Sequence, residues 1–221
     1  MFRKELLILS FLAALVFVTV AGVASLVIRA VQDDGKMLAE DTLPALVNAG
    51  EAIRRMDENW FNCHLLLSLD SAETRLNLVH KITDNSTNPF WRLYGEAVHG
   101  SEDEQLFARM EADRKEFLEV RADYFQRIKV GNGAGAADVF ESRLSPAFNK
   151  YRGSAVKIFL FNAKLGQQRA DRIIHLSVWT PYALAGFCVM VLVIGVFVGF
   201  KASLGAFAST PVSIEFPARN Q

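Results

Sequence analysis

The sequence predicts an all-α membrane protein, in which an antiparallel up-down-up-down four-helix bundle is continuous with two transmembrane helices. Residues 6–28 and 176–200 are long apolar runs without a charged residue. Between them, apolar side chains recur at every third or fourth position, which is typical of packed helices. No alternating strand pattern interrupts that spacing. The chain therefore divides into a polar middle domain, residues 29–175, and two membrane anchors.

The first apolar run predicts a membrane-spanning helix, because about 20 apolar residues cross a hydrocarbon core of about 30 Å. Arg3 and Lys4 precede the run, as they would in a cleaved signal peptide, with residues 22–24 as the cleavage site. The run is longer than the apolar core of a signal peptide. We therefore expect an uncleaved anchor at residues 6–28 that follows a cytoplasmic N-terminus, residues 1–5.

The middle domain is predicted to contain four helices, at roughly 31–69, 72–98, 102–130 and 136–175. The two outer helices lead into the two apolar runs, and the two inner helices are shorter. The inward-facing seam of the second helix is predicted as Leu76, Val79, Thr83, Ser86, Phe90, Leu93 and Ala97. This arrangement places both chain termini on one side of the membrane and the bundle on the other.

Helix-breaking residues separate the predicted helices. Ser71 is a predicted N-cap of the second helix, and Gly100 followed by Ser101 predicts a stop and then a new N-cap. Residues 84–89 combine five poor helix formers with a proline, which predicts a kink or a short loop within the second helix. The glycine-rich segment 131–135 is predicted to be a flexible connection before the fourth helix.

The second apolar run, residues 176–200, predicts the second transmembrane helix. Trp179 and Tyr182 lie near its start, where aromatic belts are found. Residues 201–221 then form a short predicted cytoplasmic tail. The positively charged start at Arg3 and Lys4 favours termini inside the cell, so the bundle is expected in the periplasm or outside the cell.

Charge and cysteine content exclude several classes of function. Twenty-four Lys and Arg side chains balance 24 Asp and Glu side chains, and no basic stripe is present, so no nucleic acid partner is expected. Cys188 lies within the second run and Cys63 in the middle domain, so the two cannot form an intrachain disulfide. Cys63 is interpreted as a small buried residue, with a bridge to a second copy of the chain as the alternative.

Enzymatic motifs are absent from the sequence. No nucleophile elbow, zinc-protease motif or phosphate-binding loop occurs. The four histidines show no helical pairing at positions i and i+3 or i+4: His64, His80, His99 and His175. We therefore expect a protein that is not an enzyme, with no metal and no cofactor.

Charged residues in or beside the helical seams are the candidates for ligand binding. Arg54 and Arg55 follow a seam position of the first helix, and a guanidinium can grip a carboxylate bidentately. Asp113 occupies a seam position of the third helix, and Gln168 and Arg172 do so in the fourth. Buried charge is costly unless paired. Either the seam opens and solvates these groups, or they form a ligand pocket or an interhelical ion pair. The four aromatic residues near these seams are predicted to fill the core: Trp60, Phe61, Phe159 and Phe161.

Residues 43–46, Leu-Pro-Ala-Leu, and the following segment 51–56 open the first bundle helix shortly after the first span. With paired spans around a four-helix bundle, the chain resembles the periplasmic sensor domain of bacterial methyl-accepting chemotaxis proteins. The resemblance implies a homodimeric sensor in the bacterial inner membrane. A small solute would bind between the helices, and helix four would then shift relative to helix one.

The resemblance ends after the second span. Family members continue into a HAMP linker and a cytoplasmic signalling coiled coil, and residues 201–221 leave no room for either. The expected partners are therefore the membrane, a second copy of the chain, and a full-length chemoreceptor or another signalling protein that receives the shift. The alternative is a dimerising scaffold, or the relic of a truncated receptor, that senses nothing.

Overall fold

The computed structural model describes residues 2–98 and 100–208. These residues form seven α-helices and two five-residue π-helical turns, without a strand among them. The α-helices are α1 Phe2–Met37, α2 Leu43–Leu65, α3 Ala72–Asp84, α4 Asn88–Glu96, α5 Ser101–Lys129, α6 Gly133–Val139 and α7 Ser145–Ala208. The π-helical turns, Leu38–Thr42 and Phe140–Leu144, join α1 to α2 and α6 to α7. The predicted all-α class is confirmed, whereas His99 and residues 209–221 of the predicted tail lie outside the described residues.

The chain divides into two compact units, of which Asp33–Arg172 is the bundle. The α2 and α7 helices run antiparallel, because the residue numbers rise on one helix as they fall on its partner. Asp57 pairs with Arg152, and Trp60 stacks on Phe148. The same pattern joins α5 to α7, where Asp113 bonds to Ser154 and Glu116 to Lys150. The antiparallel four-helix topology is therefore confirmed.

The predicted second helix is broken, as its composition indicates. The α3 helix ends at Asp84 and α4 begins at Asn88. Pro89 lies in the first turn of α4, where a backbone N–H would have no acceptor within the helix, so proline costs no hydrogen bond. The predicted seam of this helix is confirmed at Val79 and wrong at three positions, which lie on both sides of the break. Leu76, Thr83 and Leu93 are exposed, whereas the buried residues are Val79, Ile82, Trp91 and Tyr94.

Capping residues determine where the bundle helices begin. The Ser71 side chain accepts a hydrogen bond from the Thr74 backbone N–H, so the predicted N-cap of α3 is confirmed. Gly100, with φ of 95°, is the N-cap of α5 in place of Ser101, because a left-handed backbone suits a residue without a Cβ atom. Gly131, with φ of 76°, turns the chain after α5, and Asn132 then caps α6 by accepting from the Gly135 N–H.

Stacked rings form one part of the bundle core, which we call the aromatic end: Trp60, Phe117, Tyr124, Phe140 and Phe148. The Trp60 ring lies between two phenylalanine rings, 4.2 Å from Phe148 and 4.8 Å from Phe140 between ring centroids. Cys63 is fully buried nearby and receives a hydrogen bond on its carbonyl from the Tyr124 hydroxyl. The thiol is thus a core group, inaccessible to a second copy. Phe61, in contrast to its prediction as a core residue, is exposed.

The second unit comprises Met1–Gln32 and Ile173–Gln221. In its described part, two helices are long and apolar enough to cross a membrane, judged by length and composition. Their apolar side chains point away from the protein, with Phe17 and Val196 among the most exposed. Such surfaces are suited to lipid rather than to water.

Candidate ligand-binding site

The break between α3 and α4 is attached to α2 by a reciprocal pair of asparagines. Asn59 donates through Nδ2 to the Asn85 carbonyl at 2.7 Å, and Asn85 donates through Nδ2 to Asn59 Oδ1 at 3.1 Å. The Asn85 amide also donates to Glu58 at 3.2 Å. These bonds satisfy the backbone and side-chain groups that the lost helical turn leaves free. The break is therefore a fixed irregularity in the helix wall.

A cavity of about 180 Å³, which we call the α3–α4 cavity, lies behind this break. Residues of α2, α3, α4, α5 and α7 contribute to its wall. Its polar groups other than Arg121 are hydroxyls and amides, those of Asn59, Thr83, Ser86, Thr87, Asn88 and Tyr151. Met56, Phe117 and Leu118 supply the apolar part. A mixed wall of this kind can both enclose and orient a small solute.

Among the described residues that line the α3–α4 cavity, Arg121 is the only charged one. Among the described residues it has no ion pair and no hydrogen bond, and its guanidinium lies 5.6 Å from the Phe117 ring centroid and 5.5 Å from that of Phe125. Burial lowers the pKa of Arg121, and the positive charge of Arg114 acts in the same direction. An arginine nevertheless stays charged in proteins. The cavity is therefore positively charged.

Tyr151 is buried against the other wall of the cavity. Its hydroxyl oxygen accepts a hydrogen bond from Trp91 Nε1 at 2.7 Å and lies 3.4 Å from the Thr87 hydroxyl. Burial raises the pKa of Tyr151, so the phenol is protonated at neutral pH. Because the indole N–H can only donate, the phenolic proton remains for Thr87 or for a solute in the cavity.

Larger depressions occur on the bundle surface, but their walls do not enclose a solute. One of about 700 Å³ is lined by residues of α5 alone. Another, of about 460 Å³, is an open groove between α4 and α5 that includes Arg92 and Arg114. Groups on a single helix face cannot surround a ligand, so the smaller α3–α4 cavity is the better candidate site.

The three residues predicted to bind ligand lie outside the lining of the α3–α4 cavity, and no described contact joins them to one another. Arg54 is exposed and pairs with Glu51 at 2.9 Å on its own helix. Arg55 is half-buried, with its guanidinium 4.7 Å from the Phe90 ring centroid and a buried Nε without a hydrogen-bond partner.

Asp113, the third of them, is 4% exposed and forms an interhelical ion pair. It accepts from the Ser154 hydroxyl at 2.6 Å and lies 3.3 Å from Lys150 Nζ. The seam does open at Gln168 and Arg172, which are both exposed, and Arg172 lies 3.6 Å from Asp34. Ligand binding by Arg54, Arg55 or Asp113 stays a prediction.

Sequence reasoning missed Arg121 because the residue lies beside the seam of α5, next to Val120, and not in it. A signal for Arg121 was nevertheless present in the sequence. Arg114 and Arg121 are seven residues apart, so they share one helix face. Arg114 pairs at 3.1 Å with Glu111, three residues before it on the same helix, whereas no acidic residue lies three or four positions from Arg121.

A second polar cluster, which we call the polar end of the bundle, comprises Asp41, Thr42, Tyr94, Asp103, Asn162 and Arg169. Arg169 Nη1 donates to Asp41 at 3.0 Å, to the Met37 carbonyl at 3.2 Å and to the Thr42 hydroxyl. These acceptors lie in or next to the π-helical turn Leu38–Thr42. Gly166 allows α7 to approach this turn, since a Cβ atom there would lie 3.1 Å from the Thr42 methyl group.

Tyr94 is at the centre of the remaining hydrogen bonds of the polar end. Its hydroxyl donates to Asp103 at 2.5 Å and accepts from Asn162 Nδ2 at 2.6 Å. Burial, together with the Asp103 carboxylate, raises the pKa of Tyr94 well above its ordinary value. The bonds join α4, α5 and α7 at one level of the bundle. Within the described residues, no three His, Cys, Asp or Glu side chains come together as a metal site.

The model of one protein family, described as a four helix bundle sensory module for signal transduction, matches residues 4–175. The match covers the first apolar run and the whole bundle. No curated protein matches the chain.

Proposed function

Because the chain belongs to the four-helix-bundle sensory modules of methyl-accepting chemotaxis proteins, we propose that it is a transmembrane sensor that binds a small solute in its bundle. Binding shifts the bundle helices, and the shift is passed across the membrane to a partner protein. The observation that carries the proposal is the α3–α4 cavity with its unpaired Arg121. A solute there contacts α2 and α7, the two helices that lead towards the apolar segments.

Transmission requires that the solute favour one of two arrangements of the helices, since a ligand shifts an equilibrium only by its differential affinity. The π-helical turn Leu38–Thr42 supplies a site for such a rearrangement, because it holds one extra residue per turn and is less regular than the α-helix. Arg169 binds this turn from α7. Re-pairing of Arg169 would therefore let α7 move relative to the turn.

Thermal unfolding of the full chain in detergent tests solute binding. Amino acids, organic acids and sugars are added in turn, and we expect at least one class to raise the midpoint, because binding stabilises the folded state by mass action. The Thr87→Val variant, which changes the cavity, should lose most of this shift. The Thr74→Val variant, at an exposed position of α3, should keep it. A midpoint that no solute class raises would argue against a sensor.

Membrane placement is a further part of the proposal: both apolar helices cross the bacterial inner membrane, and the bundle lies in the periplasm. The first helix is an uncleaved anchor. Cells expressing a Ser68→Cys variant, exposed in the bundle, should react with an impermeant thiol reagent before lysis. Labelling only after lysis would place the bundle inside the cell. Intact-mass measurement of the membrane-extracted chain checks that residues 1–28 are retained.

Dimerisation is supported by an exposed apolar stripe on α2 that the charged Arg54 interrupts: Leu43 and Val47 precede Arg54, and Phe61 and Leu65 follow it. Their spacing places them on one helix face, and Phe61 is 67% exposed. Such a face is suited to a second copy of the chain. The Phe61→Glu variant should convert a dimer into a monomer by light scattering in detergent, whereas Leu93→Glu, on exposed α4 surface, should not. A wild-type monomer would contradict the proposal.

The same stripe favours a second candidate function, a dimerising scaffold that senses nothing. The two functions predict different co-purified proteins and different solute binding. Affinity purification from native membranes should recover a full-length chemoreceptor or another signalling protein if the chain passes a signal on. Recovery of the chain with its own copies alone, together with no stabilising solute, would support the scaffold.

A further inference from the structure

The α3–α4 cavity contains an arginine, Arg121, without an ion pair among the described residues, unlike three other arginines of the bundle. Arg114 lies 3.1 Å from Glu111, Arg127 lies 3.1 Å from Asp123, and Arg169 lies 3.0 Å from Asp41. Arg121 is half-buried and forms no ion pair with a carboxylate among the described residues. Two aromatic rings cover part of its guanidinium. They leave its N–H groups without an acceptor.

A half-buried cation without a carboxylate can attract an anion, and the remaining described wall of the cavity does not supply one. The lining contains hydroxyls, amides and apolar side chains but no carboxylate. Glu58, the acidic residue bonded to the break through Asn85, lies 3.6 Å from Arg54 Nη1. An anion inside the cavity would therefore meet one arginine and no competing negative charge on the wall. A guanidinium grips a carboxylate with two parallel hydrogen bonds.

The volume of the cavity suits a small anion. Since one water occupies about 30 Å³, the space of about 180 Å³ holds about six water-sized groups. A three-carbon organic acid has a matching number of non-hydrogen atoms. Thr87 and Tyr151 offer hydroxyl groups to a polar substituent, and Met56 and Leu118 offer apolar surface to a short carbon chain. A single arginine matches one carboxylate rather than two.

From this geometry we infer that the α3–α4 cavity binds a short organic monocarboxylate, with its carboxylate held by Arg121 and its carbon chain against Met56 and Leu118. The inference names the solute class of the proposed sensor and rests on that function. The site lies within a single bundle, so a second copy of the chain is not needed to complete it. Inorganic phosphate carries the charge but has no carbon chain to use the apolar wall.

Calorimetric titration of the full chain in nanodiscs tests the inference. The probes are sodium acetate, sodium lactate, inorganic phosphate and the neutral amide lactamide, with sodium chloride as the ionic-strength control. We expect lactate to bind, and lactamide and phosphate to bind at least about tenfold more weakly, because a charge-assisted bond contributes more than a neutral one. Acetate should bind between these limits, since it keeps the carboxylate and loses the hydroxyl.

Variants of α5 connect the binding to one side chain. Arg121→Met should weaken lactate binding about ten- to a hundredfold, the range for the loss of hydrogen bonds to a charged group. Arg121→Lys keeps the positive charge but lacks the planar guanidinium that makes two parallel hydrogen bonds, so it should lose less lactate affinity than Arg121→Met. The matched control is Arg109→Met, at an exposed position of the same helix. The unfolding midpoint of each variant without solute confirms that the bundle is folded.

Different results contradict different claims. Lactate affinity that is unchanged in both Arg121 variants would overturn the inference, as would equal affinity for lactate and lactamide. Stabilisation of the chain by neutral solutes alone would also overturn it while leaving the sensor function in place. If no solute of any class binds, both the inference and the proposed function fail. Lactate binding that falls in Arg121→Met and persists in Arg109→Met supports both.

Discussion

The aromatic end and the polar end of the bundle are held together by contacts of different kinds. At the aromatic end, Trp60 is sandwiched between Phe140 and Phe148, and Phe117 adds a further ring. At the polar end, Arg169 and Tyr94 make directional hydrogen bonds between helices. Both ends join α7 to its neighbours, so the difference lies in the chemistry of the contact and not in the elements that meet.

That difference determines which end rearranges at lower cost. Displacing stacked rings exposes apolar surface and leaves cavities, because close-packed interiors do not deform continuously. A hydrogen bond exchanges with water and contributes about 1 kcal/mol net, or about 1.5–3 kcal/mol when one partner is charged, which is less than the loss of a buried ring. The polar end also contains the π-helical turn Leu38–Thr42. The aromatic end is therefore suited to hold the bundle helices in place, and the polar end is suited to rearrange.

The largest effect is expected from a change at the aromatic end. Phe148 is 3% exposed and stacks on Trp60, so Phe148→Ala removes a ring from a close-packed site. We expect a loss of about 3–5 kcal/mol in the free energy of unfolding, measured by urea denaturation of the full chain in detergent. The control Val130→Ala, at a position 66% exposed, should cost less than about 0.5 kcal/mol. Similar losses for the two variants would show that the stacked rings do not stabilise the aromatic end.

A smaller effect is expected from the same chemical change made once at each end. Tyr94→Phe removes the hydroxyl that bonds to Asp103 and Asn162, and Tyr124→Phe removes the hydroxyl that bonds to the Cys63 carbonyl. Since a buried hydrogen bond to a charged group is worth more than a neutral one, Tyr94→Phe should cost about 1–3 kcal/mol and Tyr124→Phe about 1 kcal/mol. Urea denaturation under identical conditions measures both. A larger loss for Tyr124→Phe would contradict the assignment of the stronger hydrogen bonds to Tyr94.

The smallest effect is a pH dependence that comes from Cys63. Burial raises the pKa of this thiol from 9.0 to about 12. In the unfolded chain the thiol ionises near its ordinary pKa, so the stability it contributes is fully present below pH 9 and is lost between pH 9 and about pH 12. From pH 8 to pH 10 we expect a fall of about 1 kcal/mol.

Denaturation at both pH values checks this fall, with Cys63→Ala as the control that should show a flatter profile. The tyrosine phenols, whose pKa values are also raised, add to the fall as the pH approaches their ordinary pKa of 10.0, so the difference between wild type and control isolates the thiol. An equal fall in the control would assign the effect to groups other than the thiol. The native thiol should also resist a water-soluble thiol reagent at pH 8, because it is buried and protonated.

The sequence predicted the features that depend on composition and on local order. The two apolar runs, the all-α class, the break at residues 84–89 and the N-cap at Ser71 all follow from residue type and spacing. From the sequence alone, Asp113 could be a solvated group, part of a ligand site or one half of an ion pair. The structure places it against Ser154 and Lys150. The choice depended on residues about 40 positions away in the chain, which local patterns do not report.

The second bundle helix shows where sequence reasoning failed. A single seam was carried through residues 84–89 as though the helix were continuous, and it assigned Leu76, Thr83 and Leu93 to the core. Three non-helical residues, Asn85 to Thr87, change the rotation between α3 and α4. Trp91 and Tyr94 therefore face inward in place of Leu93. Periodicity gives the face of a helix only within one unbroken segment.

By itself, the sequence determined that this chain has two apolar helices suited to lipid and a bundle of four helical rods between them, because hydropathy and helical periodicity are properties of neighbouring residues. Only the tertiary structure decided which charges have partners on other helices. Arg114 pairs with Glu111 three residues before it on the same helix, as the spacing alone specifies. Arg169 reaches Asp41 in the π-helical turn, and Arg121 faces a cavity whose described lining has no carboxylate. The physical reason is that contacts between helices depend on packing, which spacing along a single helix does not specify.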